Sequence, residues 1–591
     1  MVDQKSGRFQ RGYEQRVRDS QDISTAPGEA AINPGGLWRR GQDSWHLGAG
    51  QEYADIGGSL DFRFYKSKGI NPWEKGHIRL LNGTRRVLES TNENLFLSYV
   101  KSSGGTEYLY VADGTTLKYT TNPYATPTVS WTSVTTGAPA GAAITGMETN
   151  GQSIFVAYAS NDIYSTTPGS ASVSLFYPSG GSSFGKTYTS FGYAKGWGIA
   201  SVLNALYVIG IQSGSHTVHY TNPDTTFRWV GGAAGQNAVY AAGYAGTHSI
   251  IYKMTLKADA TGLDQPIAAL ELPIGEVVSS IYGYLGFILV GTNKGVRFCS
   301  TDAQNNLVAG SLIPTSGPVR DFISSDRFVW FGWSNYDGIS GGLGRLDLST
   351  FTAPNTPAYA TDLMYGTPSA PAINPVLSVS EFGAKRIFSI SGIGVIAEDS
   401  ATLVSEGTVE LGTYRWGIPD RKFVAKVDVR SEPLKGSVTA YLSNDTEDYD
   451  NLGEWDDEGG TEFTYAGSDN RAIEARFKLV LERSATVTEG PVVTRWMARA
   501  YAAPFRSQVF VVPVLLHNKI KVRNKDIYLD VQEETDLLDD LIANPRIIVL
   551  QIGESRHSVI VEDVEWTPVD SYGNAWDWEG TATVTMRSVE N

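Results

Sequence analysis

Apolar residues in this chain gather in short runs closed by Gly, Asp or Asn, and the runs return at a loose beat. Their aromatic peaks are Tyr110, Phe155, Tyr207, Tyr240, Phe287, Trp330 and Phe388, with a mean spacing of roughly 46 residues. A blade of four short antiparallel strands and their turns uses about 40–50 residues and cannot bury its faces alone. The beat therefore predicts a β-propeller of about seven blades over residues 81–400. In Glu107–Asp113 a strand ends in the Asp113-Gly114 turn and another starts at Leu117; 151–158, 205–210, 284–291 and 327–333 follow the same plan. Intervals between peaks run from roughly 33 to 58 residues. No Trp-Asp or kelch signature recurs, so the beat names no blade family.

The pattern changes near Ser400. Phe423, Ala425, Val427 and Val429 alternate with Lys426, Asp428 and Arg430. Further on, Ile473, Ala475, Phe477, Leu479 and Leu481 alternate with Glu474, Arg476, Lys478 and Val480. Such alternation gives each strand one buried and one wet face, which predicts an antiparallel β-sandwich over 401–504. Residues 505–591 read as a small β-rich module holding the one convincing helix. Leu537/Leu541 and Leu538/Ile542 stand at i,i+4, Thr535 is the expected N-cap, and Asn544-Pro545 ends the run. At the other end, residues 1–34 are polar and lack a periodic apolar face, as in an arm that orders against a partner. Residues 35–80 are punctuated by Trp, Gly and Pro and read as an extended wrapping or attachment segment.

Composition supports an all-β, multidomain reading: 63 Gly and 30 Tyr stand beside only 6 Met. A formal charge of −15 argues against nucleic-acid binding by counterion release. Cys299 is the sole cysteine, which excludes an intrachain disulfide and a cysteine-based zinc site. Met1 to Gln10 lack the apolar stretch of a secretory signal, and the longest apolar run, near 202–211, is too short to span a bilayer. Synthesis in the cytoplasm and no membrane span are expected.

Candidate chemistry is sparse. His216 and His219 stand three apart in a strand, where their side chains face opposite ways and cannot share an ion. His46 and His77 read as turn or packing residues. The acidic loop 444–458 offers oxygen ligands to Ca²⁺ but lacks the ordered positions of a calcium loop, so a solvated loop is the reading taken. Asp113, Asp162, Asp321 and Asp337 sit beside turn residues and read as turn carboxylates, not a glycosidase pair. The Ser-x-Asp-x-Gly-x-Thr-Trp box of sialidase-type propellers is absent. Tyr119, Tyr124, Tyr158, Tyr164, Tyr220 and Trp333 are open to a sugar-stacking role but read first as packing residues. No catalytic residue, metal or cofactor is assigned, and the chain is expected not to be an enzyme.

Both ends carry a pattern. At the N-terminal end it is Trp45-His46-Leu47-Gly48-Ala49-Gly50-Gln51, then Arg63-Phe64, Ser67, Gly69, Asn71-Pro72-Trp73 and Gly76. At the C-terminal end it is 559–568, closing on Trp566-Thr567-Pro568, leading to 578–584. Together they cover about a quarter of the chain. In them the sequence resembles minor tail proteins of long-tailed phages (siphoviruses), particularly those of actinobacteria. The resemblance implies a structural virion protein of the tail tip or baseplate, made in the host cytoplasm and released by lysis. It also implies other tail proteins as partners, and a homo-oligomer, a trimer best matching the tail axis. Assembly residues would be Trp45, Gly48, Gly50, Gln51, Pro72, Trp73, Trp566 and Trp578. The alternatives are an adhesin that binds a host cell-envelope glycan and, second, a cell-envelope polysaccharide hydrolase.

Overall fold

Tight hairpin turns fix the local architecture. At Lys195-Gly196 and Leu285-Gly286 both central residues have positive φ, 50° and 83° in one, 52° and 84° in the other. Such two-residue turns match the right-handed twist of the strands they join. The computed structural model describes residues 31–32, 37–54, 62–159, 163–177, 190–210, 216–259, 261–334, 341–366, 374–416, 421–445, 448–456, 460–464, 471–502, 508–522, 525–528, 530–553, 555–568 and 580–589. It is nearly all β, with one helix among those residues.

Between Asn82 and Leu403 the described chain forms seven sheets in succession, each built on four antiparallel strands; the fifth adds a short extra strand. Their first strands are Leu95–Lys101, Ile144–Thr149, Ser190–Ala194, Arg228–Ala234, Val278–Tyr284, Phe322–Ser325 and Val376–Phe382. These strands pack on one another in turn, and Val376–Phe382 packs back on Leu95–Lys101. Between the fifth and sixth sheets the Tyr282 ring stacks on Phe322 at 5.9 Å. This is a β-propeller. Six of the seven aromatic peaks lie on the second strand of a sheet, where both faces are covered. Tyr207 lies instead on the third strand, Ala205–Gly210. The second strand there, Trp197–Val202, holds Ala200 opposite Tyr207. Moving the beat to Ala200 evens the intervals on either side. Cys299 is buried between the fourth and fifth sheets, and that burial pushes its thiol up to about 12.

The outermost strand of the seventh sheet comes from the other end of the chain. Asn82–Glu89 pairs antiparallel with Gly394–Leu403, with Val395 opposite Leu88 and Glu398 opposite Thr84. The first and last strands of the region thus close the ring together.

Two further antiparallel sheets share one core. The first runs Lys66–Lys68, Glu406–Glu410, Ala475–Glu482, Ser437–Asn444 and Asp450–Trp455. The second is built around Leu37–Gln42, Val492–Ala502, Lys422–Ser431 and Gly460–Thr464. In Ala475–Glu482 the alternation holds: Ala475, Phe477, Leu479 and Leu481 point inward. In Lys422–Ser431 a bulge between Val424 and Lys426 shifts the phase. The inward set there is Val424, Val427 and Val429, so Phe423 and Ala425 do not belong to it. One extra residue in a bulge reverses which face the following side chains take.

Of residues 35–80, expected as a segment laid over a surface, the described ones lie largely inside the chain's own fold. Leu37–Gln42 pairs with Val492–Ala502, and Lys66–Lys68 pairs with Glu406–Glu410. Trp45, Phe64, Ile70 and Trp73 are buried in the core of the two sheets. The arm 1–34 lies outside the described residues, apart from Ala31–Ile32, which pairs with Leu37–Gln42.

The C-terminal module has its own core. Its sheet runs Val509–Leu516, Gly580–Ser588, Ser555–Pro568, Ile548–Ile552. The helix Val531–Ala543 packs on Ser555–Pro568. Its N-cap is Asp530, not Thr535: the Asp530 carboxylate accepts the N–H groups of Gln532 and Glu533. Thr535 sits one turn inside, where its hydroxyl donates to the Val531 carbonyl at 2.7 Å. An Asp five residues upstream outcompetes a threonine that finds a carbonyl within the helix. No helix among the described residues is long and apolar enough to cross a membrane.

Candidate functional site

The N-terminal motif acts as an internal staple. The Ala49 N–H donates to the Tyr359 carbonyl on the outer strand of the sixth sheet, at 2.6 Å. Arg63 Nη2 donates to the Ala49 carbonyl, also at 2.6 Å. Gly48 has φ of 78°, and a Cβ there would fall on the Tyr359 backbone. Gly50 faces the Tyr359 hydroxyl in the same way. The Gln51 N–H donates to the Phe64 carbonyl. Asn71-Pro72-Trp73 closes an Asx turn in which Asn71 Oδ1 accepts the Trp73 N–H, and Trp73 meets Phe328 edge-on at 5.6 Å. Trp45, Gly48, Gly50 and Trp73 therefore stand where the propeller meets the two-sheet body within this chain, Pro72 is buried beside Trp73, and Gln51 bonds within the N-terminal segment. Trp566 packs half-buried on the C-terminal core, and Trp578 lies outside the described residues. A Gly48→Ala variant is expected to lose about 2–3 kcal/mol through backbone strain and displacement of Tyr359. Urea unfolding would show this as a lower midpoint at unchanged slope.

Beside the staple, between the outer parts of the sixth and seventh sheets and the two-sheet body, lies a cavity of about 700 Å³. Strand register builds its floor. Trp330 stands opposite Arg345 in the sixth sheet, and Arg386 stands opposite Glu381 in the seventh. Asp362, on the outer strand of the sixth sheet, is wholly buried. Its Oδ2 accepts from Trp330 Nε1 at 2.9 Å and from Arg345 Nε, and its Oδ1 accepts the Leu363 N–H. Burying a carboxylate so far from water is costly unless several donors meet it. The Arg386 guanidinium lies 3.6 Å from the centre of the Trp330 ring, and its Nη1 reaches Glu381 at 3.3 Å. Burial lowers the Arg386 pKa, Glu381 and Glu398 oppose that, and Arg345 adds to it. Arg79, Asp326, Glu432 and Lys435 complete the rim. The sequence signal for this site is thin. Arg386 is a buried charge beside the mostly apolar run 387–390, and its partners are scattered over three other strands.

A second cluster lies where the ring's first strands converge. Glu148, Tyr282 and Asp321 come from the second, fifth and sixth sheets and act on one another electrostatically. Asp321, read from sequence as a turn carboxylate, is a tie between sheets. Its Oδ2 accepts from Ser378 Oγ at 2.7 Å and from the Val379 N–H at 2.8 Å, and its Oδ1 accepts the Phe322 N–H. Burial nevertheless pushes Asp321 up to about 6. Burial also pushes Glu148 up to about 7, its bond from the Thr149 N–H opposing and the Asp321 charge adding. The folded protein thus keeps a proton on Glu148 that the unfolded chain gives up near the ordinary 4.5. Stability from this group is fullest below that value and falls as pH rises toward 7. Glu148→Gln should therefore stabilise the protein by about 1–3 kcal/mol at pH 8 and leave it unchanged at pH 4.5. Melting temperatures at the two pH values check this, and an equal gain at both would refute it.

The remaining candidates fall to packing. Asp113 is buried, and its carboxylate takes Ser90 Oγ, Asn92 Nδ2 and Lys118 Nζ. His219 donates from Nε2 to the Asp264 carbonyl, and His46 pairs with Ser44 Oγ. Tyr158 is wholly buried and packs edge-on against Tyr164. Tyr119 donates to the Gly169 carbonyl, and Tyr124 to that of Phe382. Tyr220 packs on Trp229, and Trp333 stacks on Phe331. In the acidic loop Asp445 accepts the N–H groups of Ile473 and Glu474. Asp162 and Asp337 lie outside the described residues, as do 446–447 and 457–458 of the loop.

No family model matches the chain, and no curated protein matches it. Among solved structures it is similar to virginiamycin B lyase from Staphylococcus aureus, at 11% identity over 53% of this chain and 98% of that one, TM-score 0.38. It is also similar to YCF48 from Cyanidioschyzon merolae, at 12% identity over 54% and 98%, TM-score 0.38. A third is the N-terminal domain of Nup159, at 9% identity over 54% and 94%, TM-score 0.37. At these scores the likeness carries no argument about activity, ligand or partner.

Proposed function

We propose that this chain is a structural component of a phage tail tip or baseplate, a minor tail protein of the siphovirus type. In this reading the seven sheets are the blades of a closed propeller, and the two-sheet body is an antiparallel β-sandwich. The supporting observation is the division between an interlocked body and a module free to dock. Propeller and two-sheet body share one core, stitched by the strands Leu37–Gln42 and Lys66–Lys68 and the buried Trp45, Phe64, Ile70 and Trp73. The C-terminal module has a separate core. Its central strands carry the tail-protein pattern at 559–568 and 580–584, and Val511, Leu515, Tyr528, Ile547 and Val549 on it stay more than half exposed. Apolar side chains left open in such number on one small module suit contact with neighbours in an assembly. The chain would work by rigidity and interface, as a homo-oligomer, a trimer about the tail axis, bound to other tail proteins.

Immunogold labelling of intact virions with an antibody to this chain tests the reading. Gold at the tail end is expected. Gold confined to the capsid, or absent from virions, would end it. The hydrolase alternative makes a different demand: purified protein would have to release reducing sugar from host envelope. None is expected, because both Asp321 oxygens already serve the backbone and Ser378.

A further inference from the structure

We propose that the cavity between the propeller and the two-sheet body binds the acidic unit of a saccharide, a sugar carrying a carboxylate or a phosphate. The case rests on which groups there still have capacity to bond. Both oxygens of each of the two acids deepest in the wall already accept a hydrogen bond. Asp362 accepts from Trp330, Arg345 and the Leu363 N–H. Glu398 accepts from Asn82 Nδ2 and the Arg386 N–H. The guanidinium groups beside them keep unused donors. A guanidinium offers five N–H donors in a planar fork. Arg345 gives its Nε to Asp362, and Arg386 gives its Nη1 to Glu381. Arg386 is only 8% exposed, and its Nε is buried with no acceptor. Two arginines with spare donors, facing a cavity of ligand size, favour an acceptor-rich anion over water. Phe328, over whose ring Arg327 and Arg345 lie, adds apolar surface to the lining, and Asp326 and Glu432 at the rim supply acceptors for hydroxyls. The inference is independent of the virion reading, since a tail protein without a ligand and a ligand-binding protein outside a virion are both possible results.

Isothermal titration calorimetry of the full chain with methyl β-D-glucuronide, glucose 6-phosphate and methyl β-D-glucoside tests it. One of the two acidic probes is expected to bind at least about tenfold tighter than the neutral glucoside. The better of the two tells carboxylate from phosphate. Arg386→Gln should weaken that probe about tenfold or more. Lys435 is 55% exposed at the rim, where it pairs with Glu489 at 2.6 Å, so Lys435→Glu should still fold, with a melting temperature lowered only slightly, and weaken the acidic probe about threefold or more. This second variant keeps the test decisive should Arg386→Gln fail to fold. Equal affinity for the glucoside, no saturable heat with any probe up to about 10 mM, or acid binding untouched by Lys435→Glu would overturn the proposal.

Discussion

Removal of residues 1–89 is expected to leave a chain that cannot fold, although the other strands of the propeller and most of both further sheets remain. The deletion takes away Asn82–Glu89, so Gly394–Leu403 loses its partner and the ring ends in a long unpaired edge. It also empties the shared core of Trp45, Phe64, Ile70, Trp73, Ile78 and Leu80, all buried. Each such side chain contributes about 1.5–3 kcal/mol by leaving water, and six of them together exceed much of the roughly 5–15 kcal/mol by which a domain is stable. Size-exclusion chromatography should show aggregate, and near-ultraviolet dichroism should show no cooperative melt. Co-expression of residues 31–89 as a separate piece should restore a soluble complex. A truncated monomer that melts cooperatively near the full chain's temperature would refute the expectation.

Trp496→Ala should be the most damaging single substitution, at about 3–5 kcal/mol. Trp496 lies on Val492–Ala502, the strand that pairs with both Leu37–Gln42 and Lys422–Ser431. It is wholly buried, with its ring 5.0 Å from Phe477 and 5.5 Å from Tyr414. Alanine would leave a cavity in the one core that holds propeller, staple and sheets together, and the strands around it are pinned from both sides. Trp496→Phe is the informative control. The indole N–H is buried without an acceptor, so phenylalanine removes an unsatisfied donor while keeping most of the ring. Its cost should stay below about 1.5 kcal/mol. Chemical unfolding of the pair measures both. Similar losses for the two would show that volume at this position matters less than packing predicts.

Local pattern was legible and long-range pairing was not. The aromatic beat placed six second strands because a strand covered on both faces must be apolar throughout, and that constraint lies in adjacent residues. It failed at Tyr207, where the third strand outweighs an Ala- and Gly-containing second strand, Trp197–Val202. Alternation found the inward face of Ala475–Glu482 but missed the bulge at Ala425, because a bulge depends on the partner strand. The staple motif was visible as sequence and misplaced in space. Gly48 and Gly50 mark a close approach, yet nothing local says that the approaching chain is Tyr359. The same limit hid the cavity: Trp330, Arg345, Asp362 and Arg386 meet only through the register of separate strands. Asp321 looked like a turn carboxylate, and Glu148 drew no notice, because the ring that encloses them is built by distant residues.

Ring closure by the N-terminal strand is the claim on which the rest stands, and native-state hydrogen exchange addresses it most directly. Amides of Asn82–Glu89 that pair with Gly394–Leu403 should exchange as slowly as their partners and lose protection at the same denaturant concentration. Exchange of 82–89 on the timescale of a free chain end, with 394–403 still protected, would mean that the ring closes without it.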